Sequence, residues 1–358
     1  MKVAHIINSL SIGGAEKLAI DSLPYYINGL NHIDLIVLKK TKTNFESLLP
    51  VGVNPIYLTD KSLYSPLLIF KLIPILRKYD IVHIHLFPAL YWVVLANFFS
   101  LGKTKLAYTE HSTHNKRRNN FVFKIFDKFI YSKLNFIGCI SQATEENLVH
   151  HLKSQKLNTS VIFNGIDLSK FESVHGADLL YNYFDKESFV LIQVSSFRAQ
   201  KDQKTVIQSL QYLPDSIKLL LVGDGELKSS NEKLVEELNL NNRVKFLGNR
   251  NDIPQLMSYA DVCVLSSHYE GFGLAVLEGM ISKKPSIASD VEGIREVVKG
   301  YGLLFERGNA KELANLVLQL YSNEIYYNEI ANNCYNRALE FDIRDMVKQY
   351  IDKYEKMV

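Results

Sequence analysis

Two neighbouring stretches decide the fold, a strand and the turn and helix after it. They read Ala260-Asp261-Val262-Cys263-Val264-Leu265-Ser266-Ser267 and Glu270-Gly271-Phe272-Gly273-Leu274-Ala275-Val276-Leu277-Glu278. The first is an apolar run typical of a buried strand in a parallel sheet. The second places a glycine-rich turn at the carboxyl end of that strand, where open α/β sheets bind ligands. Its backbone N–H groups and flanking carboxylates suit the phosphates and hydroxyls of a nucleotide-sugar.

The same rhythm of strands and helices runs through the whole chain. In the first half the predicted strands are Val3–Ile7, His32–Leu38, Ile81–His85, Lys105–Thr109, Phe136–Cys139 and Val161–Phe163. In the second half they are Phe189–Val194, Lys218–Val222, Val244–Leu247, Asp261–Leu265, Pro285–Ala288 and Leu303–Phe305. Helical patterns between the strands predict parallel sheets. The predicted class is therefore α/β, with two doubly wound parallel-sheet domains.

The length of 358 residues exceeds what one hydrophobic core usually serves, which also favours two domains. We place the junction in the polar stretch 167–187, which lacks a clear period and contains Gly176. The predicted limits are 1–170, 171–340 and a C-terminal helix over 341–358. The C-terminal helix is predicted from apolar residues at helical spacing, which are Met346, Val347, Tyr350, Ile351 and Tyr354.

Composition and charge are those of a globular protein with a basic first half. Hydrophobic residues make up 47% and charged residues 22%. Residues 1–170 hold 20 Lys and Arg against 11 Asp and Glu, a balance of +9, and the remainder has a balance of −6. The basic half suits an anionic partner such as a membrane surface, and a scattered solvated face explains it equally well.

Targeting signals and cysteine usage favour a cytoplasmic location. Met1–Asn8 turns polar too soon for the core of a secretion signal. The longest uncharged stretch, 86–102, contains a proline and an asparagine, so it suits a buried helix better than a membrane span. Cys139, Cys263 and Cys334 are far apart in sequence and are expected to be buried, reduced thiols.

An ordered set of short motifs carries a family resemblance. The set comprises Ile12-Gly13-Gly14-Ala15-Glu16, Thr109-Glu110-His111-Ser112, Asn164-Gly165-Ile166-Asp167, Gln200-Lys201-Asp202, Phe246-Leu247-Gly248, the run from Glu270 to Glu278, and Ser289-Asp290-Val291-Glu292-Gly293-Ile294. With it, the chain resembles the bacterial glycosyltransferases of family 4 nearly end to end. The resemblance implies a GT-B fold, in which two Rossmann-like domains face a cleft and a C-terminal helix packs back toward the first domain.

The resemblance also implies an activity. It implies a retaining transfer of a sugar from a UDP- or GDP-type nucleotide-sugar to a glycan or lipid-linked acceptor, in the synthesis of bacterial surface polysaccharide or glycoconjugate. The acceptor oxygen would attack the anomeric carbon on the face that the diphosphate leaves, so no covalent nucleophile is required. Domain closure would align the substrates. No cofactor is expected, because the nucleotide-sugar is a substrate.

Donor-binding residues are implied in the run that opens this section. By resemblance, Glu270 contacts hydroxyls of the donor sugar, and Glu278 contacts the ribose. Backbone amides from Gly271 through Phe272 and Gly273 to Leu274 would hold the sugar and the distal phosphate. The alternative for Glu278 is a solvated helix residue. The apolar residues around it favour a packed helix with one polar side.

Lys201 and Arg198 follow the first strand of the second half and are candidates to neutralise the leaving diphosphate. Each charge-assisted hydrogen bond contributes about 1.5–3 kcal/mol. The family pattern places an arginine some five positions before the lysine, where Ser196 stands here. Arg198 therefore either reaches the same phosphate from a shifted position or is a surface residue.

In the first half, Gly13, Gly14 and His111 are the site candidates. Gly13 and Gly14 lie between the first strand and a helix, where a diphosphate or sugar can bind, although a simple tight turn has the same sequence. By resemblance, His111 orients the donor sugar and stabilises the transition state. Because successive strand residues face opposite ways, Glu110 is not expected to share this role. His83, His85 and Asn164-Gly165 are weaker candidates for lining the acceptor side and the hinge.

Other chemistries are disfavoured or left open. No Cys/His cluster has metal-ligand spacing and no Asp-x-Asp occurs, so metal-independent transfer is predicted. A nicotinamide-dependent enzyme is disfavoured, because G-x-G-x-x-G is absent and the second strand ends in Lys39-Lys40. A sugar-nucleotide epimerase or phosphorylase would share the fold. A non-catalytic nucleotide-sugar-binding relative stays open, because Arg198 is displaced and Glu292 replaces a common glycine.

Residues 115–134 combine basic and aromatic side chains. The basic ones are Lys116, Arg117, Arg118, Lys124, Lys128 and Lys133, and the aromatic ones are Phe121, Phe123, Phe126, Phe129 and Tyr131. The segment either lies on an anionic leaflet, as a peripheral contact at the inner face of the cell membrane, or packs as an ordinary core helix. No nucleic-acid motif accompanies it, so no nucleic-acid partner is expected.

Overall fold

The chain forms two α/β units in a computed structural model, which describes residues 1–11, 13–30, 32–41, 46, 48–113, 118, 120–153, 157–172, 174 and 183–358. The first unit comprises Met1–Gly165 and Ile343–Val358, and the second comprises Ile166–Asp342. The division falls at 165/166, whereas the sequence suggested 170/171. Ile166 belongs to the second unit because it forms a parallel bridge with Asp342, and its N–H donates to the Phe341 carbonyl at 2.9 Å. Gly176 lies outside the described residues.

The first unit is built on a parallel sheet. Its strands are β1 (Lys2–Ile7), β2 (His32–Lys39), β3 (Ile56–Thr59), β4 (Ile81–His85), β5 (Lys105–Glu110), β6 (Phe136–Cys139) and β7 (Thr159–Val161). Among the described residues the order is β3-β2-β1-β4-β5-β6-β7. The helices before the second unit are α1 (Gly14–Gly29), α2 (Leu67–Leu76), α3 (Ala89–Phe99), α4 (Phe121–Tyr131) and α5 (Gln142–Leu152). Every residue of the central strand β4 is buried, including the polar His83 and His85.

The second unit is also built on a parallel sheet. Its strands are β8 (Phe189–Val194), β9 (Ile217–Val222), β10 (Val244–Gly248), β11 (Val262–Leu265), β12 (Ser286–Ser289) and β13 (Leu303–Phe305), in the order β10-β9-β8-β11-β12-β13. Its helices are α6 (Ser169–Glu172), α7 (Gln203–Ser209), α8 (Lys228–Glu237), α9 (Ile253–Tyr259), α10 (Leu274–Ile281), α11 (Ile294–Val298), α12 (Ala310–Ser322) and α13 (Glu324–Ala338). The predicted α/β class, with a parallel sheet in each half, is confirmed.

The last helix, α14 (Ile343–Glu355), belongs to the first unit. It buries Met346, Val347, Tyr350 and Tyr354, which are four of the five apolar positions noted in the sequence. It packs against α1, where the Gly29 Cα lies close to the Ile351 side chain. The last helix of the chain thus completes the core of the domain that the first residues begin.

The sequence led to expectations about the cysteines and about membrane-spanning helices. Cys139, Cys263 and Cys334 are free and buried, as expected. Burial raises the pKa of the Cys334 thiol to about 12, which keeps that thiol protonated and unreactive. Within the described residues, the helices are too short or too polar to cross a bilayer.

Candidate functional site

Each sheet has one place where the strand order reverses, and the predicted site residues lie close to it. In the second sheet, β8 and β11 are neighbours whose following connections run to opposite sides. Such a switch point opens a crevice at the carboxyl ends of the strands, the usual ligand site of this architecture. Lys201 follows β8 and Glu270 follows β11. The switch point of the first sheet lies between β1 and β4.

Lys201 and Glu270 meet at the switch point of the second unit. The Lys201 ammonium donates to Glu270 Oε1, and the Ser267 hydroxyl donates to the same oxygen at 2.8 Å. Glu270 is only 8% exposed. A carboxylate held by a cation and a hydroxyl is fixed in direction. The pair therefore presents one positive and one negative group at the strand ends.

Two buried polar side chains fix the backbone of Lys201. Gln193 on β8 donates to the Lys201 carbonyl at 2.9 Å. Ser266, directly after β11, approaches the same carbonyl at 3.1 Å and donates to the Asp202 carbonyl at 2.7 Å. Sequence reasoning missed both residues. Their signal was a polar residue inside or at the end of an apolar strand, as Gln193 is 1% exposed.

Arg198 is exposed and stands apart from this pair. Among the described residues, its side chain makes no recorded hydrogen bond or ion pair. Its backbone N–H donates to the Ser196 carbonyl at 2.9 Å, and its carbonyl accepts from the Lys201 N–H at 2.8 Å. Arg198 thus shapes the turn that presents Lys201, with its guanidinium in solvent.

The turn from Glu270 to Gly273 depends on two glycines. Gly273 precedes α10 with a φ of +91°, a left-handed conformation that favours glycine. Gly293, from the motif 289–294, packs on the turn so closely that a Cβ would lie 2.5 Å from the Glu270 carbonyl oxygen. Phe272 points into the unit, where its ring meets Phe341 edge-to-face at 5.5 Å. The side chain of Phe272 therefore anchors the turn, and its backbone is the part available to a ligand.

Glu278 lies in the second turn of α10 and is 6% exposed. The neighbouring Val276, Leu277, Gly279 and Met280 are buried as well. The solvated-helix alternative is therefore wrong. Burying a carboxylate costs hydration free energy that an apolar residue at this position would not cost, so the position favours a binding role.

In the first unit, α1 begins at Gly14, with Gly13 as its extended N-cap residue. The Gly13 carbonyl accepts from the Lys17 N–H at 2.9 Å, and the Gly13 Cα faces the Glu16 carboxylate. Ile12, the first residue of this motif, lies outside the described residues. The two glycines thus occupy the strand-to-helix turn where the sequence placed them.

His111 and Glu110 point to opposite faces of the first sheet. The Glu110 carboxylate is buried, accepting from Arg118 at 2.9 Å and from the Tyr131 hydroxyl at 2.6 Å. On the other face, His111 Nε2 lies 3.2 Å from His85 Nδ1. Arg118 is therefore committed to an internal ion pair and does not belong to a basic surface. Lys116 and Arg117 lie outside the described residues.

Three buried histidines gather at the switch point of the first unit. β1 pairs with β4 so that His5 stands opposite His83, and His85 follows two residues later on the same face. One ring nitrogen of each lies within 4.8 Å of the others, which is close enough to hold a metal ion. The spacing of these histidines in the sequence did not predict this cluster. All six ring nitrogens already have hydrogen-bond partners.

Burial keeps these rings neutral. It lowers the pKa of His5 to about 3 and that of His111 to about 4. It also holds the pKa values of His83 and His85 well below the usual range. Together with Asn164, His83, His85 and His111 line a pocket with about 10 Å³ of free volume. The structure thus brings the weaker candidates of the first half to one place.

α4 presents most of its apolar residues to solvent, although Ile130 and Tyr131 are buried. Phe121 is 75% exposed, and exposed apolar residues continue along α4 and the end of α3, namely Val122, Phe123, Ile125, Phe126, Phe129, Phe98 and Phe99. We call this set the aromatic face. The rings of Phe98 and Phe129 meet at 5.6 Å, and the Lys133 ammonium lies 5.4 Å from the Phe129 ring centre. The core-helix interpretation is wrong for this face.

Comparisons with known proteins agree with this architecture. The family model Glycosyltransferase Family 4 matches residues 12–170, and Glycosyl transferases group 1 matches residues 182–337. The UDP-Gal:alpha-D-GlcNAc-diphosphoundecaprenol alpha-1,3-galactosyltransferase of Escherichia coli is 27% identical over 100% of this chain and 97% of its own. The N-acetylgalactosamine-N,N'-diacetylbacillosaminyl-diphospho-undecaprenol 4-alpha-N-acetylgalactosaminyltransferase of Campylobacter jejuni is 26% identical, over 95% of this chain and 96% of its own. The solved structure of Anabaena HepE with UDP-glucose has a TM-score of 0.86 and 25% identity, covering 99% of this chain and 100% of that chain.

Proposed function

This protein belongs to the family 4 type of glycosyltransferases with the GT-B fold, and we propose that it transfers a sugar from a UDP- or GDP-type nucleotide-sugar to a glycan or lipid-linked acceptor during the synthesis of a surface glycan. The observation that carries the proposal is the Lys201–Glu270 pair at the switch point of the second unit. The names of the Escherichia coli and Campylobacter jejuni relatives include diphosphoundecaprenol acceptors, which supports the lipid-linked class.

The chemistry assigned to the pair follows from its charges. The Lys201 ammonium would neutralise the negative charge that builds on the leaving nucleotide diphosphate, through a charge-assisted bond of about 1.5–3 kcal/mol. Glu270 would accept hydrogen bonds from sugar hydroxyls, since Ser267 holds its Oε1 in place. The amides of Gly271 to Leu274 would bind the sugar and distal phosphate, and Glu278 the ribose.

We propose that the transfer retains the anomeric configuration. The bond from the anomeric carbon to the diphosphate oxygen breaks as the bond to the acceptor oxygen forms on the same face, and the acceptor proton passes to the departing phosphate oxygen. A protein nucleophile is not needed. Glu110, the acid next to His111, is held by Arg118 and Tyr131, which supports a structural role for it. Neutral His111 is assigned to hydrogen bonding during transfer.

Turnover with defined donors tests the function. UDP-sugars and GDP-sugars should be screened for protection of the chain from thermal unfolding, because a ligand that binds only the folded state raises its stability. The protecting donor should then release nucleotide diphosphate only when a lipid-linked acceptor is present, and chelation by EDTA should leave the rate unchanged. The product's anomeric configuration, read by NMR, should match that of the donor.

The alternatives give different outcomes in the same assay. Protection without diphosphate release, over a full acceptor panel, would identify a non-catalytic nucleotide-sugar-binding relative. Conversion of the donor without acceptor would identify an epimerase. A rate abolished by EDTA and restored by a divalent cation would contradict the metal-independent mechanism.

We also propose that the aromatic face docks on an anionic leaflet, where the lipid part of the acceptor would reside. Exposed aromatic and aliphatic side chains next to lysines are the composition of an interfacial membrane helix. Lys128 and Lys133 are exposed on the same helix and at its end, and their charge suits anionic headgroups. This contact would place the protein at the inner face of the cell membrane.

Replacing Phe121 and Val122 by serine is expected to weaken binding to vesicles that contain anionic lipid by at least about tenfold, because each inserted apolar side chain contributes about 1.5–3 kcal/mol. Co-sedimentation measures the bound fraction. Ile325→Ser is the matched control, since Ile325 is 83% exposed in the second unit. Equal binding by the double variant and the control would refute the docking surface.

A further inference from the structure

The buried histidines of the first unit belong to one hydrogen-bonded chain that reaches from His111 to α14. His111 Nε2 lies 3.2 Å from His85 Nδ1, and His85 Nε2 lies 3.4 Å from His5 Nδ1. His5 Nε2 lies 3.3 Å from the Tyr354 hydroxyl. That hydroxyl also bonds His83 Nδ1. Tyr354 is therefore the junction at which two arms of the chain meet.

The second arm continues beyond Tyr354. His83 Nε2 lies 2.7 Å from the Thr109 hydroxyl, which in turn lies 2.8 Å from the Tyr350 hydroxyl. Strands β1 and β4 supply His5, His83 and His85, β5 supplies Thr109, His111 directly follows β5, and α14 supplies both tyrosines. Almost all of these groups are buried, so bulk water does not compete for their hydrogen bonds.

Neutral imidazoles impose a direction on such a chain. Each ring has one N–H that donates and one bare nitrogen that accepts. A ring that accepts from one neighbour must therefore donate to the next. If the first arm donates toward His111, His85 Nδ1–H bonds His111 Nε2, and the His111 proton sits on Nδ1. If the arm donates the other way, the proton sits on Nε2.

Resting on the proposed function of His111, we infer that Tyr354 and His5 act through His85 as positioning residues that set which ring nitrogen of His111 carries the proton. The bonds on the Tyr354 hydroxyl select the direction of the arm, and His85 passes that direction on. The choice matters because it decides whether Nδ1 of His111 donates or accepts a hydrogen bond. α14 thereby contributes to the site without touching substrate.

Tyr354→Phe tests the inference, because it removes one hydroxyl and leaves the ring. In the full chain, the imidazole 15N spectrum distinguishes a protonated from a bare nitrogen. We expect a single His111 tautomer in the original protein and a mixed or reversed one in the variant. Transfer should show a kcat lowered by roughly tenfold or more with the donor KM unchanged, since a site histidine in the wrong tautomer is costly.

Tyr79→Phe is the matched control, because the Tyr79 hydroxyl bonds Asp34 at 2.7 Å and does not belong to the hydrogen-bonded chain of histidines. His5→Leu interrupts the chain at a second point and should reproduce the spectrum of Tyr354→Phe. An unchanged His111 tautomer in both variants overturns the inference, whatever their activity. A changed tautomer in a protein that never transfers sugar refutes the proposed function and leaves the tautomer control standing.

Discussion

Replacing Lys201 by alanine is expected to lower the rate of sugar transfer by about 10²–10³-fold, the usual effect of removing one group that stabilises transition-state charge. The protein should still fold, because Glu270 keeps its 2.8 Å hydrogen bond from Ser267, and because Gln193 and Ser266 hold the backbone of residue 201 independently of the lysine side chain. Single-turnover release of nucleotide diphosphate, with the donor saturating, measures the loss. Circular dichroism checks the fold.

Two variants sharpen that experiment. Lys204→Ala removes an exposed lysine three residues away and should leave the rate unchanged. Arg198→Ala separates the two readings of Arg198: a loss comparable to that of Lys201→Ala means that the guanidinium reaches the diphosphate, and a small loss means that it stays in solvent. Full activity in Lys201→Ala would contradict the role assigned to the lysine.

The first unit is expected to lose stability as the pH falls below about 6.5. In the folded state, burial lowers the pKa of His5 from 6.5 to about 3 and lowers those of His83 and His85 as well, so these rings stay neutral. The unfolded chain takes up their protons near pH 6.5, so acid favours unfolding. Well below that pH, the free energy of unfolding should fall by about 1.4 kcal/mol per pH unit for each such histidine.

Trp92 makes this measurement specific to the first unit. It is the single tryptophan of the chain and lies on α3. Urea unfolding followed by its fluorescence, at intervals from about pH 7.5 to about pH 4.5, gives the slope. His5→Gln should make the slope shallower, because it removes one of the histidines whose pKa burial lowers. A free energy of unfolding that is flat over this range would show that the cluster accepts protons while folded.

The central strands of the sheets were predictable from sequence, and the edge strands of the first sheet were not. The strand-like runs at 81–85 and 189–194 coincide with β4 and β8, because strands covered on both faces are rich in apolar and β-branched residues. β3 was missed, since it has four residues at the edge of the sheet and buries only one of them. β7 begins two residues before the predicted strand, and the apolar Ile162 and Phe163 follow it.

Residues of the site that lie in one contiguous motif were identified from sequence, and contacts between strands were not. The Glu270 turn and Lys201 each stand in a short pattern. The meeting of the two, and their support by Gln193 and Ser266, depend on β8 lying beside β11. The histidine cluster likewise depends on the register of β1 against β4, which brings His5 opposite a residue 78 positions away.

α4 shows why its buried side could not be read from hydrophobicity. Its periodicity indicates an amphipathic helix, and core packing would ordinarily cover the phenylalanines. The structure instead buries Asp127, which bonds the Tyr91 hydroxyl and lies 2.9 Å from His151 Nε2. A polar residue with two partners on other helices thus turns inward. Only tertiary contacts distinguish this arrangement from the usual one.

The place of α14 in the first unit has a consequence for biosynthesis. During translation, residues 1–165 leave the ribosome early, and Tyr350 and Tyr354 follow only after all of residues 166–342 have been made. Until then the first domain lacks its closing helix, and His5 and His83 lack the hydroxyls that satisfy their nitrogens. The N-terminal domain is therefore the last to reach its final state. An early stop before Ile343 would leave a finished second domain attached to an unfinished first one.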